Sequence, residues 1–311
     1  MNIYLDNAAT TPIDPLVVEE MIPVLNETYG NPSSIHTHGR IARSVIEKAR
    51  KQIASFFNAS PSELFFTSGG TEADNMILRA AVEDLGVKRI ITSPLEHHAV
   101  LHTAEALKLH GVTLEIVKVD SKGKVDLNQL EELLKASADK TLVSLMHANN
   151  EIATLLPLKK VGELCKSYDA YFHSDTVQTM GHYPFDFQEL NIDFATCSAH
   201  KFHGPKGIGF LYLNSEVKIY PMLTGGAQER NMRAGTENIY GIVGLAKALD
   251  LAYNNLEGHH KHIQSLKSYM IQRLVDEIPE VMFNGDSASE DSLYTVLSVC
   301  FPSSDMDEMF L

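Results

Sequence analysis

Asp193-Phe194-Ala195-Thr196-Cys197-Ser198-Ala199-His200-Lys201-Phe202-His203-Gly204-Pro205-Lys206-Gly207 is the stretch on which the fold turns. Its apolar run ends at Ser198 and has the length of a buried strand; two histidines then flank a lysine before Gly204-Pro205 breaks the backbone. A lysine just past a buried strand is desolvated, which lowers its pKa and lets the amine act as a nucleophile. The hydroxyl of Ser198 and the imidazole of His200 beside it suit an anionic group such as a phosphate. Taken alone, the segment reads as a surface lysine in a turn. Matching polar groups at four other strand ends change that reading.

Upstream, Tyr4 to Pro12 is an irregular arm, 15–25 a short helix, and Tyr29-Gly30-Asn31-Pro32-Ser33-Ser34 a loop. Apolar residues at Ile41, Val45, Ala49, Ile53 and Phe57 give a long amphipathic helix. Strands and helices then alternate. Leu64-Phe65-Phe66-Thr67 is a strand, and Ser68-Gly69-Gly70-Thr71 turns into a helix running through Met76 to Val82. Strands over 89–92, 114–119, 141–146, 170–173, 194–198 and 208–213 are separated by helices over 99–109, 127–134 and 161–168. Such alternation predicts an α/β fold with a mostly parallel, seven-stranded sheet covered by helices on both faces. Beyond Asn238, two helical runs, 239–256 and 263–278, join at Gly258; a strand over 295–301 follows, then the start of another helix toward Leu311. The expected division is a large domain, 15–255, and a smaller α+β domain, 256–311 with 1–14, incomplete at its carboxyl end.

The 311 residues are 44% hydrophobic and 21% charged, the composition of a chain with a full core. A net charge of -14 argues against nucleic acid as the main partner, since a phosphate backbone demands a basic face. A small anionic ligand needs only a local positive pocket. Three cysteines, Cys165, Cys197 and Cys300, form no C-x-x-C pair, so a reducing compartment is expected, without a disulfide framework. The start lacks the blocks of a signal peptide and no apolar run is long enough to span a bilayer, so the expected location is cytoplasmic.

In open α/β sheets ligands sit beyond the carboxyl ends of the strands, which makes the residues just past each strand the candidates. After Thr67, the backbone N–H groups of Gly69 and Gly70 and the Thr71 hydroxyl make an anion cradle at a helix start; a plain helix cap is the bland alternative. After Thr92 comes Glu96-His97-His98, where a histidine can stack on a flat ligand or move protons. A metal site from His98 and His102 lacks a third ligand. After Met146 come Asn149, Asn150 and Glu151, with amides suited to a ring substituent or a carboxylate. After His173 come Asp175 and Gln178, which could address two edges of one ring, although Asp175 could also cap a helix. A lysine nucleophile, a phosphate cradle, a ring-facing histidine and an acid together fit pyridoxal phosphate (PLP), which needs an amine for its aldehyde and a carboxylate for its pyridine nitrogen. Gly204 to Gly209 leads into a strand, not a helix, and so fails the context of a dinucleotide loop.

As a set, these motifs resemble the NifS/IscS-like cysteine desulfurases, in the aminotransferase class V branch of fold-type I PLP enzymes. The matching stretches are Tyr4 to Pro12, Gly30 to Ser34, Phe66 to Asn75, His147 to Ile152, Ser198 to Gly207 and Gly225 to Thr236. The resemblance implies roles position by position. Lys201 would hold PLP covalently, Asp175 would face the pyridine nitrogen and Gln178 the phenolic oxygen. His97 would stack on the ring and assist proton transfer. Gly70, Thr71, Ser198 and His200 would bind the phosphate, joined by Thr236 from the neighbouring subunit of a homodimer. Asn150 would touch both the cofactor and the substrate carboxylate. The implied reaction takes L-cysteine to L-alanine, with sulfur passed to an enzyme cysteine as a persulfide and on to an iron–sulfur scaffold or another sulfur-acceptor protein.

The same resemblance places the nucleophilic cysteine just beyond Leu311, and none of the three cysteines here matches it. Cys165 falls on a helix, Cys197 inside the strand before Lys201, and Cys300 in a core strand, each as a small buried hydrophobe. The expectation is a carboxyl-terminally truncated desulfurase, itself inactive in sulfur release. Alternatives are another class V PLP enzyme, a selenocysteine lyase or an aminotransferase, or a non-catalytic PLP-binding homologue.

Overall fold

The computed structural model describes residues 3–221 and 223–302. The helix expected toward Leu311 lies outside the described residues. In chain order, helices α1 (Pro15–Glu27) and α2 (Thr37–Ser55) precede strand β1 (Leu64–Thr67). Then follow α3 (Gly70–Glu83), β2 (Arg89–Thr92), α4 (His98–Leu109), β3 (Thr113–Ile116), α5 (Leu127–Lys135), β4 (Thr141–Ser144), α6 (Leu158–Ser167) and β5 (Tyr171–Asp175). A short α7 (Phe187–Leu190) leads to β6 (Phe194–Ser198) and β7 (Gly209–Leu213). After them come a single turn α8 (Gln228–Asn231), the long α9 (Ile239–Asn254) and α10 (Leu256–Glu277), and two short strands, β8 (Met282–Phe283) and β9 (Val299–Cys300).

The first seven strands form one sheet in the order β1-β7-β6-β5-β4-β2-β3. Only β7 runs against its neighbours, pairing antiparallel with β1 and β6. Strands β1, β2, β4, β6 and β7 are buried at every position, which is why they read as unbroken apolar runs: helices cover both faces. On one face the core joins α1, α2, α6 and α9 through residues such as Val17, Ile53, Val161 and Leu245. On the other, α3 and α4 pack through Ile77, Ala81, Val100 and Ala104. Each fully buried Leu, Ile or Phe contributes about 1.5–3 kcal/mol, so this double core dominates the stability of the sheet.

Strand β1 is an edge whose free backbone groups would invite pairing with another chain. Here side chains cover them. Arg50 Nη1 and Arg230 Nη2 donate to Leu64 O, and Phe66 N donates to Glu229 Oε2. Glu229, Arg230 and Asn231 take left-handed backbone angles (φ 43°, 55° and 65°), which turn these side chains onto the strand.

Several boundaries differ from the sequence expectation, among them the ends of the strands expected over 114–119 and 141–146, which stop at Ile116 and Ser144. The last two long helices join at Asn255, not Gly258: the helix runs through Gly258, whose missing Cβ leaves room for the Asn255 side chain. The strand expected over 295–301 pairs only at Val299–Cys300, because its partner, Met282–Phe283, offers just two residues. Cys300 is therefore half-buried at a small ribbon rather than in a core strand. Strand β5 also runs on to Asp175, which places that acid on the sheet and not in the following turn.

Candidate active site

A cavity of about 790 Å³ opens at the carboxyl ends of the parallel strands. It is lined by Gly70, Thr71, His97, Asn150, Asp175, Gln178, Ser198, His200 and Lys201, which is every expected site residue except Thr236. Thr236 is exposed, outside the cavity of its own chain.

The cradle forms because β1 stops at Thr67 and the chain enters α3 through glycines. Gly69 sits at φ 149°, in a region side chains avoid, and a Cβ on Gly70 would lie 2.7 Å from Val177 Cγ2. No side chain caps α3. Among the described residues the N–H groups of Gly70, Thr71 and Glu72 have no acceptor, so three donors and the positive end of a helix dipole face the cavity. Elsewhere side chains close helix starts: Asp14 caps α1, and Asp126 caps α5. Ser198, at the end of β6, and His200, in the turn after it, stand opposite the cradle. His200 Nδ1 lies 3.1 Å from Thr10 Oγ1; burial, then Lys201 and Lys206, push its pKa down to about 4, so the ring is neutral.

Lys201 is delivered by a single 3₁₀ turn after β6 (Ala199–Lys201). Its Nζ donates to Ala8 O and, at 2.9 Å, to Ala9 O. Burial lowers its pKa, against the opposing pull of Asp175 and Asp6, which favours a neutral, nucleophilic amine. Asp175 accepts from Val177 N at 2.9 Å and from Thr196 Oγ1 at 3.4 Å, both on Oδ1. Its Oδ2 has no hydrogen-bond partner among the described residues. Burial, reinforced by Asp74, pushes its carboxyl up. A cation arriving at Oδ2 would reverse that shift. Gln178 Nε2 donates to Ala8 O at 3.0 Å. His97 is exposed at the start of α4, where its Nδ1 accepts from Ala99 N at 3.1 Å and leaves the Nε2 side of the ring toward solvent. Of the two adjacent amides, Asn149 is spent on the turn, bonding Leu95 O, Glu151 N and Ile152 N, while Asn150 is the one on the cavity.

Two groups of lining residues were missed in the sequence. The amino-terminal arm, read as merely irregular, crosses the Lys201 turn: Thr11 N and Oγ1 both donate to His200 O at 2.9 Å, and His203 N donates to Thr11 Oγ1 at 2.8 Å. Small residues at Ala8 and Ala9 followed by two threonines were the available signal. Asp74 on α3 was missed as well; it shares the apolar face of Ile77, Leu78 and Ala81.

The residues present fit PLP: an open helix start and a hydroxyl for a phosphate, a desolvated amine for an aldehyde, and a buried carboxylate with a free oxygen for a pyridine nitrogen. Comparison with known proteins agrees. The profile of the family described as "Aminotransferase class-V" matches residues 3–310. "Cysteine desulfurase IscS" of Dictyoglomus turgidum is 46% identical over 285 residues, 91% of this chain and 72% of that protein. "Putative cysteine desulfurase IscS 1" of Bacillus subtilis is 45% identical over 312 residues, 99% of this chain and 81% of that protein. Among solved structures, a "NIFS-LIKE PROTEIN" superposes with a TM-score of 0.92 at 42% identity, over 98% of this chain and 83% of that one. A second, "SspA in complex with cysteine", gives 0.84 at 31% identity over 96% and 84% of the two chains. With such similarity along nearly its whole length, and with the cavity these residues build, the chain belongs to the PLP-dependent aminotransferase class-V family, among the IscS/NifS cysteine desulfurases.

Proposed function

We propose that this chain binds PLP in the cavity at Lys201 and acts on L-cysteine, directing it toward L-alanine and a transferable sulfur. One observation carries this: the desolvated Lys201 amine, the uncapped start of α3 and the free oxygen of Asp175 converge on one cavity. Lys201 Nζ holds the cofactor carbonyl carbon. Gly70, Thr71, Ser198 and His200 hold the phosphate, and Gln178 the phenolic oxygen. Asp175 Oδ2, free of other partners among the described residues, would serve the pyridine nitrogen, and His97 would cover the ring. PLP bound there supplies an electron sink for the substrate Cα. Asn150 orients the substrate carboxylate. Once substrate has taken its place, Lys201 Nζ would be the group at hand to move the Cα proton, and His97, on the open side, would serve the sulfur-bearing end of the substrate.

The sulfur acceptor is none of Cys165, Cys197 and Cys300. Cys165 and Cys197 are buried, and burial pushes both thiols up, away from thiolate. Cys300 sits on the β9 ribbon, and no cysteine lines the cavity. A homodimer is supported by large apolar side chains left in water, Ile35 at 90%, Tyr29 at 74%, Tyr220 at 73% and Leu5 at 72% exposure. In that assembly Thr236 reaches the partner's phosphate site. Its loop is braced for this by Arg233, which grips Glu72 beside the cradle. The large domain is 15–255; the part from 256, grouped with the arm 1–14, forms the smaller one, its loop pinned to α10 by Lys267. Delivery of sulfur to an iron–sulfur scaffold and a cytoplasmic location complete the proposal. Among the described residues no helix is long and apolar enough to cross a membrane.

The test is proton exchange at Cα, which needs only the groups named above. PLP-loaded chain in heavy water should introduce deuterium at Cα of L-cysteine and L-alanine, and Lys201→Ala should lose this. Exchange by the variant equal to that of the parent would reject the assignment.

A further inference from the structure

Behind Asp175 lies a pair of side chains that the proposed chemistry does not use. Asp74, 1% exposed, comes from α3, and His173, 0% exposed, stands two residues before Asp175 on β5, on the same face of the strand. Asp74 Oδ1 and His173 Nε2 face each other at 3.4 Å. Among the described residues neither atom has any other partner. The other ring nitrogen, His173 Nδ1, is 2.8 Å from Ser144 Oγ. The Thr196 hydroxyl donates to Asp175 Oδ1 at 3.4 Å and lies near enough to Asp74 to oppose the upward shift of its carboxyl. Glu96, buried on the loop after β2, adds a third acid to the same floor, and its Oε1 already accepts from Ser93 Oγ and Met146 N. His97 lines the same cavity as Asp175. Among the described residues no lysine or arginine pairs with Asp74.

A buried carboxylate without a cation is costly, and a second one beside Asp175 adds repulsion. The pair can avoid both by holding one proton between them at zero net charge. An ionised acid with an imidazolium would bury two charges; a neutral acid with a neutral ring buries none. Resting on the role of Asp175 given above, we propose that Asp74 is a protonated positioning residue: its carboxyl donates to His173 Nε2, the His173 Nδ1–H donates to Ser144 Oγ, and Asp175 is left as the single anion facing the cofactor's pyridine nitrogen. Burial acts in the required directions, pushing Asp74 up to about 7 and His173 down to about 4. Loss of the Asp74 proton as pH rises through about 7 places a second anion behind Asp175.

Two measurements on the PLP-loaded chain test this. Nitrogen-15 histidine spectra, with His173 assigned by its loss in His173→Gln, should show a neutral ring protonated on Nδ1 at neutral pH. An imidazolium, or a ring protonated on Nε2, overturns the proposal. Thermal unfolding of the parent and of Asp74→Asn, whose amide also donates but does not titrate, gives the second readout. A raised folded pKa contributes stability that is present at low pH and lost as pH rises through it. The midpoint of Asp74→Asn minus that of the parent should therefore rise from about pH 4 and level off above about pH 7. A difference that is flat or falls with pH overturns the proposal, as does an Asn variant that fails to fold. Neither readout requires turnover, so a failure here is distinct from failure of Lys201 to hold PLP, which Cα exchange reports separately.

Discussion

At the β1 edge and on the cavity floor, the same sheet buries charge in two contrasting ways. Arg50 Nη1 and Nη2 each donate to Glu229 at 2.8 Å, Nη1 also reaches Leu64 O at 2.9 Å, and Glu229 takes Phe66 N at 2.8 Å. The cavity floor holds Asp74, Glu96 and Asp175 with no guanidinium or ammonium paired to any of them among the described residues. Among the described residues Glu96 Oε2 has no hydrogen-bond partner, and Asp74 Oδ1 meets only the His173 ring, at 3.4 Å. Paired charge at the edge serves the fold, since it closes a strand that would otherwise pair with another chain. Unpaired acid on the floor lowers stability, and a chain keeps it where a positive group arrives from outside. Three helix starts show the same contrast: α1 and α5 are capped by aspartates, whereas α3 is left open at the cavity.

The contrast breaks most sharply at Asp175. Asp175→Asn removes the acid proposed to face the cofactor, so Cα deuterium exchange should slow by several orders of magnitude while PLP, which its phosphate would anchor, should stay bound. Near-normal exchange in that variant would move the role elsewhere. At the edge the expected loss is of stability, not of chemistry. Arg50→Ala strands Glu229 as a buried, unpaired carboxylate and should cost about 3–5 kcal/mol in urea unfolding. A cost under about 1 kcal/mol would mean the pair behaves as an exposed one. The smallest effect sharpens the picture of the thiols. Replacing Cys165, Cys197 and Cys300 singly by Ala or Ser should leave sulfur released from L-cysteine unchanged, and a selective loss in one variant would identify it as an acceptor.

Most of the site was legible because each of its groups sits next to a strand end, where short-range pattern fixes position: Ser198 and Lys201 after β6, Asp175 at the end of β5, Gly70 and Thr71 after β1. Residues whose place depends on long-range packing were harder to read. Asp74 lies mid-helix, and only the spacing Asp74-Ile77-Leu78-Ala81 hinted that an acid was on the apolar face; its pairing with His173 requires α3 to lie on β5. The arm carries no periodicity, so only its small residues before two threonines hinted at the hydrogen bonds it makes to Lys201 and Gln178. Strand propensity over 295–301 likewise failed for want of a partner long enough to pair with it.

Lys201 as the attachment point of PLP is the claim on which the rest depends, and reductive trapping addresses it directly. The chain loaded with PLP, reduced with borohydride and digested, should carry the pyridoxyl mass on the peptide containing Lys201 and on no other. Lys201→Ala treated identically should carry none. A pyridoxyl group on a different lysine of the parent, or one that persists in the variant, would contradict the account.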